Sequence, residues 1–443
     1  MTTSLQHQGW IHMRVFGTPL ASAFILLMTV VATHPAQAQV QLRANQKNHP
    51  PNFKTFTVLY NFTGGADGGT PYGPMTLFYR IGYLHYATSI YGTTSQGGAS
   101  NFGTVFAVTP NAKTETVLHS FSSTDGANPV ASLTPGPGWF SGCFNGCPPR
   151  ILFGSTDAGG SLGFGTLFQI DVSSNAWTVL HNFTQSDGAS PKAGMVRTIG
   201  SNPANLYGTT EAGGANGFGT VFNLDPSGTL TTLHEFAGGT TDGAYPFGTL
   251  ALHAGRSVSG NILYGTTEGG GASGAGTVFA LNRVTGAYKI LWNFTGGADG
   301  ANPYGNLVLD RENNVYGTTQ AGGAHGLGTV FKVTGKGVET VIYSFAGGTD
   351  GATPLGGLVF GGSGFLGTTQ AGGAHGGGTI FEVSSGGVET VLHSFDCATD
   401  GCNPTAGLVV VIHDGPHNRG KMFGTTFKGG TGGFGTVFQL KPN

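Results

Sequence analysis

Short runs of β-branched and aromatic residues alternate with clusters of glycine, proline, aspartate and asparagine from about residue 55 to the end of the chain. None of these runs has the 3.6-residue apolar period of an amphipathic helix. Segments such as Thr104–Val108 are apolar on both faces of the pleat, which is typical of a sheet packed between two neighbours. The pattern predicts an all-β protein built from short, buried strands.

The strands recur as a tandem repeat with four parts. An aromatic-ended strand is followed by an Asp-Gly turn, a proline and a short apolar strand. A Tyr-Gly-Thr-Thr strand then leads through a Gly-Gly loop to a Gly-Thr-(Val/Leu/Ile)-Phe strand, and each part occurs seven times. The spacing between copies of the last motif, 50 to 62 residues, is close to that of kelch-type blades. These motifs begin at Gly103, Gly165, Gly219, Gly276, Gly328, Gly378 and Gly435.

Seven units of four strands predict a seven-bladed β-propeller with four-stranded blades. If the units are divided at their prolines, the seventh lacks a fourth strand, whereas Thr55–Phe62 is an unpaired fourth strand at the N-terminal end. We expect this segment to pair with Gly435–Leu440 in the last blade, because this pairing closes the ring and removes an exposed sheet edge. An open solenoid is the alternative, and it would not need such a complement.

The N-terminal region has the features of a secretory signal peptide. Arg14 precedes an apolar run at Leu20–Ala32, and a small-x-small site ends at Ala38, after which we expect cleavage. The run is too short to span a membrane, and no later segment is longer, so the mature chain is expected to be secreted or periplasmic. The predicted organisation is a signal peptide at 1–38, a flexible linker at 39–54 and the propeller at 55–443.

Composition excludes several classes of protein. The 81 glycines and 21 prolines approach the level of disordered chains, but 38% hydrophobic and only 9% charged residues argue for a packed core. A net charge of −2 provides no basic field for nucleic acid or an anionic membrane surface. We expect a monomer without a cofactor.

The four cysteines form two local pairs, Cys143 with Cys147 and Cys397 with Cys402. Such pairs are expected to form disulfides in an exported protein. A shared zinc site is the alternative. The two pairs are far apart in sequence and are predicted to lie on opposite faces of the propeller, which favours disulfides.

In the last units the repeat motifs read Leu392-His393-Ser394-Phe395, Asp400-Gly401, Phe423-Gly424-Thr425-Thr426 and Gly435-Thr436-Val437-Phe438. This combination resembles the GloVer tandem-repeat family over residues 55–440. The resemblance implies an exported bacterial protein of unassigned biochemical activity, and many members carry a C-terminal surface anchor. Because this chain ends without a hydrophobic tail or basic terminus, we expect release rather than anchoring. The resemblance supplies no catalytic residues.

Two recurring polar positions are interpreted as structural. An Asp side chain at a turn can bond its own backbone two residues on, and repetition in every unit argues against a calcium site or catalysis. These residues are Asp67, Asp125, Asp187, Asp242, Asp299, Asp350 and Asp400. The histidines at 119, 181, 234 and 393 alternate with Tyr and Trp at one position on separate outer strands, so no metal site is predicted there.

The Asp-Gly-Pro loops and the Gly-Gly loops are predicted to share one face of the disc, and the positions that follow the Tyr-Gly-Thr-Thr motifs in the Gly-Gly loops vary. The opposite face is predicted to carry irregular insertions at 135–149 and 413–421, and the sequence leaves either face as the working one. The ligand-face candidates are Asp157, Glu211, Glu268, Gln320, His325, Gln370 and His375. We favour a non-enzymatic binding or scaffold module for an extracellular glycan or protein. A secreted carbohydrate-active hydrolase or lyase using Asp157, Glu211 or Glu268 as acid and base is the alternative, since glycosidases need two nearby carboxylates.

Overall fold

The computed structural model describes residues 53–77, 89–136, 150–198, 204–252, 258–361, 364–411 and 420–442. Within these ranges the chain forms seven four-stranded antiparallel sheets, arranged as the blades of a β-propeller and numbered 1 to 7 in chain order. The fold class predicted from the repeat is confirmed. The predicted signal peptide, and the linker up to residue 52, lie outside the described ranges.

Each blade runs from a short strand beside the axis to a strand at the outer rim. The innermost strands are Thr76–Leu77, Thr134–Pro135, Val196–Arg197, Ala251–Leu252, Val308–Leu309, Val359–Phe360 and Val409–Val411. The second strands are Ile90–Gln96, Ile151–Thr156, Leu206–Thr210, Ile262–Thr267, Val315–Ala321, Gly364–Thr369 and Lys421–Thr426. The third strands are Thr104–Thr109, Thr166–Asp171, Thr220–Leu224, Thr277–Asn282, Thr329–Val333, Thr379–Ser384 and Thr436–Pro442.

The outermost strands are Thr114–Ser120, Ala176–Asn182, Leu230–Glu235, Tyr288–Asn293, Glu339–Ser344, Glu389–Ser394 and Phe53–Asn61. Four accessory strands at Gly69–Pro71, Gly243–Ala244, Gly269–Gly270 and Ala301–Pro303 extend the loops of blades 1, 4 and 5, and a 3₁₀ turn lies at Val258–Asn261. The second and third strands are largely buried because each is covered on both faces by a neighbouring blade.

The N-terminal strand completes the last blade, as predicted. Phe53–Asn61 pairs antiparallel with Thr436–Pro442, and the register places Val58 opposite Phe438. Blade 7 therefore contains three strands from the C-terminal end of the chain and one from the N-terminal end. An open solenoid is excluded by this pairing.

One aromatic contact repeats at all seven junctions between blades. The phenylalanine that follows each outermost strand packs against the phenylalanine of the third strand in the next blade, edge-on in six pairs and tilted by 60° in Phe395–Phe438, with ring centroids 5.0 to 5.6 Å apart. The pairs are Phe62–Phe106, Phe121–Phe168, Phe183–Phe222, Phe236–Phe279, Phe294–Phe331, Phe345–Phe381 and Phe395–Phe438. The glycine of each Tyr-Gly-Thr-Thr motif is needed because the third-strand ring lies over it, and a Cβ at Gly92 would come 2.6 Å from Phe106.

The Asp-Gly turn and the aromatic-ended strand, which are separate motifs in the sequence, form one hydrogen-bonded unit. The Asp67 carboxylate accepts the Tyr60 hydroxyl at 3.0 Å and the Thr63 amide at 2.9 Å. His119 Nε2 lies 2.8 Å from Asp125 in the same arrangement one blade later. The carboxylates thus bind backbone N–H groups that precede them, which differs from the predicted bond to the backbone two residues on.

Glycines allow the blades to meet closely around the axis. A Cβ at Gly305 would lie 2.8 Å from both the Gly356 oxygen and the Gly357 nitrogen of the next blade. Because the innermost strands converge at this point, backbone from adjacent blades occupies the space that side chains would need. The axis is consequently narrow, and the surface available to a ligand lies at its ends.

Candidate functional site

The residue after the proline of each Asp-Gly-x-x-Pro loop points to the axis, and the seven residues together form what we call the inner ring. They line one shallow, open depression at the end of the axis, with contributions from every blade. The inner ring consists of Tyr72, Val130, Lys192, Phe247, Tyr304, Leu355 and Thr405. The side chains differ widely although the backbone frame repeats, so the sevenfold symmetry is broken at this end of the axis.

The residue before each of these prolines has a left-handed backbone conformation although none of the seven is glycine, with φ between 53° and 59°. This conformation is costly for such residues and needs support from the surroundings. The support comes from the second strand of the same blade. The Glu211 amide donates to the Ser190 carbonyl at 3.0 Å, and the Glu268 amide donates to the Tyr245 carbonyl at 3.0 Å.

These hydrogen bonds hold the residue that follows each Tyr-Gly-Thr-Thr motif, or its equivalent, beside the inner ring. We call this set the outer ring, and both rings together the axial mouth. The outer ring consists of Ser95, Asp157, Glu211, Glu268, Gln320, Gln370 and Phe427. The carboxylates lie on blades 2, 3 and 4, and the two amides lie on blades 5 and 6. The axial mouth is therefore anionic on one side and neutral on the other.

Aromatic side chains close the centre of the axial mouth. The hydroxyl groups of Tyr72 and Tyr304 are hydrogen-bonded across the axis at 2.6 Å. Phe247 stacks on Tyr304 with ring centroids 3.8 Å apart, and Phe427 meets Tyr72 edge-on at 5.8 Å. The rings form a shallow apolar floor, and the two hydroxyl groups are its polar centre.

A mixed-charge cluster lies beside this floor. Lys192 Nζ is 2.5 Å from Glu211 Oε2, 4.0 Å from Asp157 Oδ1 and 5.6 Å from the centroid of the Phe247 ring. The side chains of Lys192, Glu211 and Asp157 are each about a quarter exposed. The cluster is therefore partly desolvated but remains accessible from solvent.

The charges in this cluster do not balance. Burial raises the pKa of Asp157, although Lys192 opposes the shift. Burial and then the charge of Glu211 raise the pKa of Glu268, again against Lys192. Burial disfavours the Lys192 ammonium, but its hydrogen bond to Glu211 and the charge of Asp157 leave the pKa of the lysine raised. The single positive charge of Lys192 is thus set against three carboxylates, those of Asp157, Glu211 and Glu268.

The structure brings five of the seven ligand-face candidates to the axial mouth: Asp157, Glu211, Glu268, Gln320 and Gln370. It places the other two elsewhere on the same face. His325 and His375 are exposed at the tips of Gly-Gly loops that extend toward the outer rim. The Ala324 amide beside His325 donates to Ser344 in the outermost strand, at 3.4 Å.

Sequence reasoning missed the inner ring, including Lys192, Tyr72 and Tyr304. The candidates were drawn only from the Gly-Gly loops, although the Asp-Gly-Pro loops were predicted to share that face. Aligning the seven units at their prolines shows that the next residue varies from lysine to tyrosine to leucine. That variation on a fixed frame was the available signal.

The remaining predicted positions are structural in their contacts. Cys397 and Cys402 form a disulfide in the loop that enters blade 7, whereas Cys143 and Cys147 lie outside the described residues. The four recurring histidines stay on separate outer strands, each beside the aspartate of its own turn.

No group of three or more His, Cys, Asp or Glu able to hold a metal ion occurs among the residues that the structure describes. In that same part of the chain, no helix is long and apolar enough to cross a membrane.

Comparison with solved structures gives likenesses in fold alone. An oligogalacturonate lyase from Vibrio parahaemolyticus is 9% identical over 87% of this chain and 93% of its own, with a TM-score of 0.48. TolB from Acinetobacter baumannii is 14% identical over 57% of this chain, with a TM-score of 0.34, and the match spans only 50% of TolB. A comparison with curated proteins finds no match.

The family comparison identifies the repeat itself. Two tandem copies of the Gloeobacter/Verrucomicrobia repeat match residues 150–258 and 253–415. These ranges contain blades 3 to 6 and most of blade 2, and each copy covers strands of more than one blade. Since the matched region exceeds half of the sequence, the chain belongs to the Gloeobacter/Verrucomicrobia repeat family.

Proposed function

We propose that this protein is an exported, non-enzymatic binding module whose axial mouth holds an extracellular glycan. One observation carries the proposal. The repeated backbone frame presents an asymmetric set of aromatic, acidic and amide side chains at the axial mouth, where the loops of all seven blades meet. The frame supplies rigidity, and the varied side chains supply selectivity.

The chemistry of the axial mouth suits sugars. The stacked Phe247 and Tyr304 rings offer an apolar surface to the C–H face of a pyranose. Carboxylates such as Glu268 accept hydrogen bonds from hydroxyl groups, and the Gln320 and Gln370 amides can both donate and accept. The floor is shallow, so it fits a chain lying across the disc better than a small molecule enclosed in a pocket.

The ion pair between Lys192 and Glu211 favours binding over hydrolysis. Glu211 Oε2 lies 2.5 Å from Lys192 Nζ, so this oxygen is already engaged and is not free to contact a glycosidic oxygen. The raised pKa values of Asp157 and Glu268 favour the second candidate function, a carbohydrate-active hydrolase or lyase, because a general acid must hold its proton near the working pH. The experiment below separates the two functions.

Export is part of the proposal. The predicted signal peptide ends at Ala38, and the disulfide between Cys397 and Cys402 supports passage through an oxidising compartment. Mass spectrometry of the protein collected from the periplasm and medium of an expressing bacterium tests this part. We expect an N-terminus at Gln39 and an intact disulfide. Full-length protein confined to the cytoplasm would contradict export.

A glycan array probed with the mature protein tests the binding function. Glu268→Gln keeps the size of the side chain and removes one charge at the axial mouth, so we expect binding to weaken roughly tenfold, the size of one charge-assisted contact. Glu312→Gln is the matched control, because Glu312 is exposed on the loop between the first two strands of blade 5, on the opposite face. Equal loss in both variants, or no glycan bound by the wild type, would overturn the proposal.

Turnover of the bound glycan tests the enzymatic alternative. The wild type and the Glu211→Gln, Glu268→Gln double variant are incubated with each glycan that the array identifies, and the products are followed by mass spectrometry. We expect no cleavage by either protein. Cleavage by the wild type that the double variant abolishes would establish the hydrolase or lyase and refute the binding-only function.

A further inference from the structure

The axial mouth already holds one positively charged group, and that group belongs to the protein. Lys192 Nζ lies against the Glu211 carboxylate and within 5.6 Å of the Phe247 ring centroid, which is the distance at which an ammonium is attracted to a ring face. The other six inner-ring positions have no ammonium. This part of the axial mouth therefore accommodates an ammonium group between a carboxylate and an aromatic ring.

The negative charge of the axial mouth exceeds what Lys192 can neutralise. Asp157 and Glu211 share that ammonium, and no lysine or arginine among the described residues forms an ion pair with Glu268. Lys428 is turned toward the Phe427 ring on blade 7, with Nζ 5.7 Å from the centroid. Burial makes this excess costly, as the raised pKa values of Asp157 and Glu268 indicate. A second cation bound beside these carboxylates would neutralise part of the excess negative charge.

We propose that the ligand of the axial mouth is a glycan with free, protonated amino groups, and that the Lys192 side chain is an internal competitor for that amine. This inference rests on the proposed glycan-binding function. An amino group of the sugar takes a place between Glu268, Glu211 and the aromatic floor, and the sugar ring lies on Phe247 and Tyr304. Lys192 shifts toward Asp157, whose Oδ1 is buried without a hydrogen-bond partner.

The neutral side of the axial mouth favours a glycan over a basic peptide. A basic peptide would bind most tightly to a site with carboxylates on every side. On blades 5, 6 and 1, however, the outer ring offers only the uncharged donors and acceptors of Gln320, Gln370 and Ser95. Hydroxyl groups of neighbouring sugar units match those side chains. The anionic and neutral sides together suit a polymer with one amine and several hydroxyl groups per unit.

Calorimetric titration of the mature protein with a soluble glucosamine oligomer, and with its N-acetylated counterpart of the same length, tests the inference. We expect the amine-bearing oligomer to bind at least tenfold more tightly, since acetylation removes both the charge and the charge-assisted contact. The preference should shrink as salt is added, because the attraction between exposed charges is screened. An N-acetylated oligomer that binds as tightly or more tightly overturns the inference while leaving glycan binding in place.

Variants at Lys192 test its role as a competitor. Lys192→Met keeps a long apolar stem over Phe247 without the charge, so affinity for the glucosamine oligomer should rise severalfold, whereas Lys192→Arg keeps a cation and should stay near the wild type. Thermal melting of both variants checks folding. A weaker affinity in folded Lys192→Met would show that the lysine contacts the ligand and overturn the competitor role.

An oligolysine peptide distinguishes the two kinds of amine. Binding of the peptide as tight as that of the glucosamine oligomer would assign the site to basic polypeptides and overturn the glycan assignment. Binding of neither oligomer nor peptide, with a neutral glycan bound on the array, would overturn the amine inference alone. Failure of every glycan would overturn the proposed function as well.

Discussion

Ring closure by the N-terminal strand can be tested with a single buried side chain. Phe62 follows that strand, is fully buried, and packs edge-on against Phe106 of blade 1 with centroids 5.0 Å apart. Replacing it with alanine removes the aromatic contact between the last blade and the first. Substitutions of buried phenylalanine by alanine cost about 3 to 5 kcal/mol, and we expect about 4 kcal/mol for Phe62→Ala.

The repeat provides a matched control for this substitution. Phe236 occupies the same position at the junction of blades 3 and 4, is equally buried, and meets Phe279 at 5.4 Å. Phe236→Ala should therefore cost about the same, roughly 4 kcal/mol, whether or not the ring is closed. Val388→Ala, at a side chain that is 67% exposed, should change stability by less than about 0.5 kcal/mol.

Urea unfolding followed by intrinsic fluorescence measures the three free energies. In a closed ring the N-terminal strand unfolds together with the rest of the protein, so the two phenylalanine variants lose similar stability. If the strand frays on its own, its loss of packing is not transmitted to the global transition. A cost below about 1 kcal/mol for Phe62→Ala, beside about 4 kcal/mol for Phe236→Ala, would refute closure.

Three further perturbations test the blade junctions. Burial, and then a facing aspartate, raise the pKa of Glu115, Glu339 and Glu389 to about 7 from 4.5. A raised pKa means that stability is full below pH 4.5 and falls as the pH rises through 7. After discounting for exposure, we expect substitution of all three by Gln to stabilise by about 1 kcal/mol per site at pH 8 and not at pH 4; equal melting shifts at both would contradict this. Asp400→Asn weakens the hydrogen bonds to His393 and to the Asp396 amide, each 2.7 Å, and should cost about 1 to 3 kcal/mol in urea unfolding. A loss of less than about 0.5 kcal/mol would contradict a stabilising role for the hydrogen bonds between the Asp-Gly turn and the aromatic-ended strand. Gly305→Ala crowds the Gly356 carbonyl and should cost about 1 to 3 kcal/mol, whereas Gly335→Ala, whose Cβ would lie 4.0 Å from the nearest atom, should not; equal melting temperatures would argue against tight axial packing.

The architecture was readable from the sequence because its determinants are local and repeated. Strand propensity, the glycine and proline turns, and the motif Gly-Thr-Val-Phe act within one unit, and counting units showed both the number of blades and the missing strand. The pairing of Val58 with Phe438 followed from that count. The hydrogen bond from the Tyr60 hydroxyl to the Asp67 carboxylate did not follow from the sequence. The two motifs are seven residues apart, and nothing in either pattern indicates that they contact each other.

The sequence by itself determined the repeat, the propeller and the face that carries the variable side chains. Only the tertiary structure decided which of those side chains meet. Tyr72 and Tyr304 are 232 residues apart and share a hydrogen bond across the axis, and Lys192 of the loop entering blade 3 reaches toward Asp157 of blade 2. Such contacts depend on how seven blades converge on one axis, and no local pattern encodes that convergence. The same geometry separated His325 and His375 from the axial mouth by directing their loops outward.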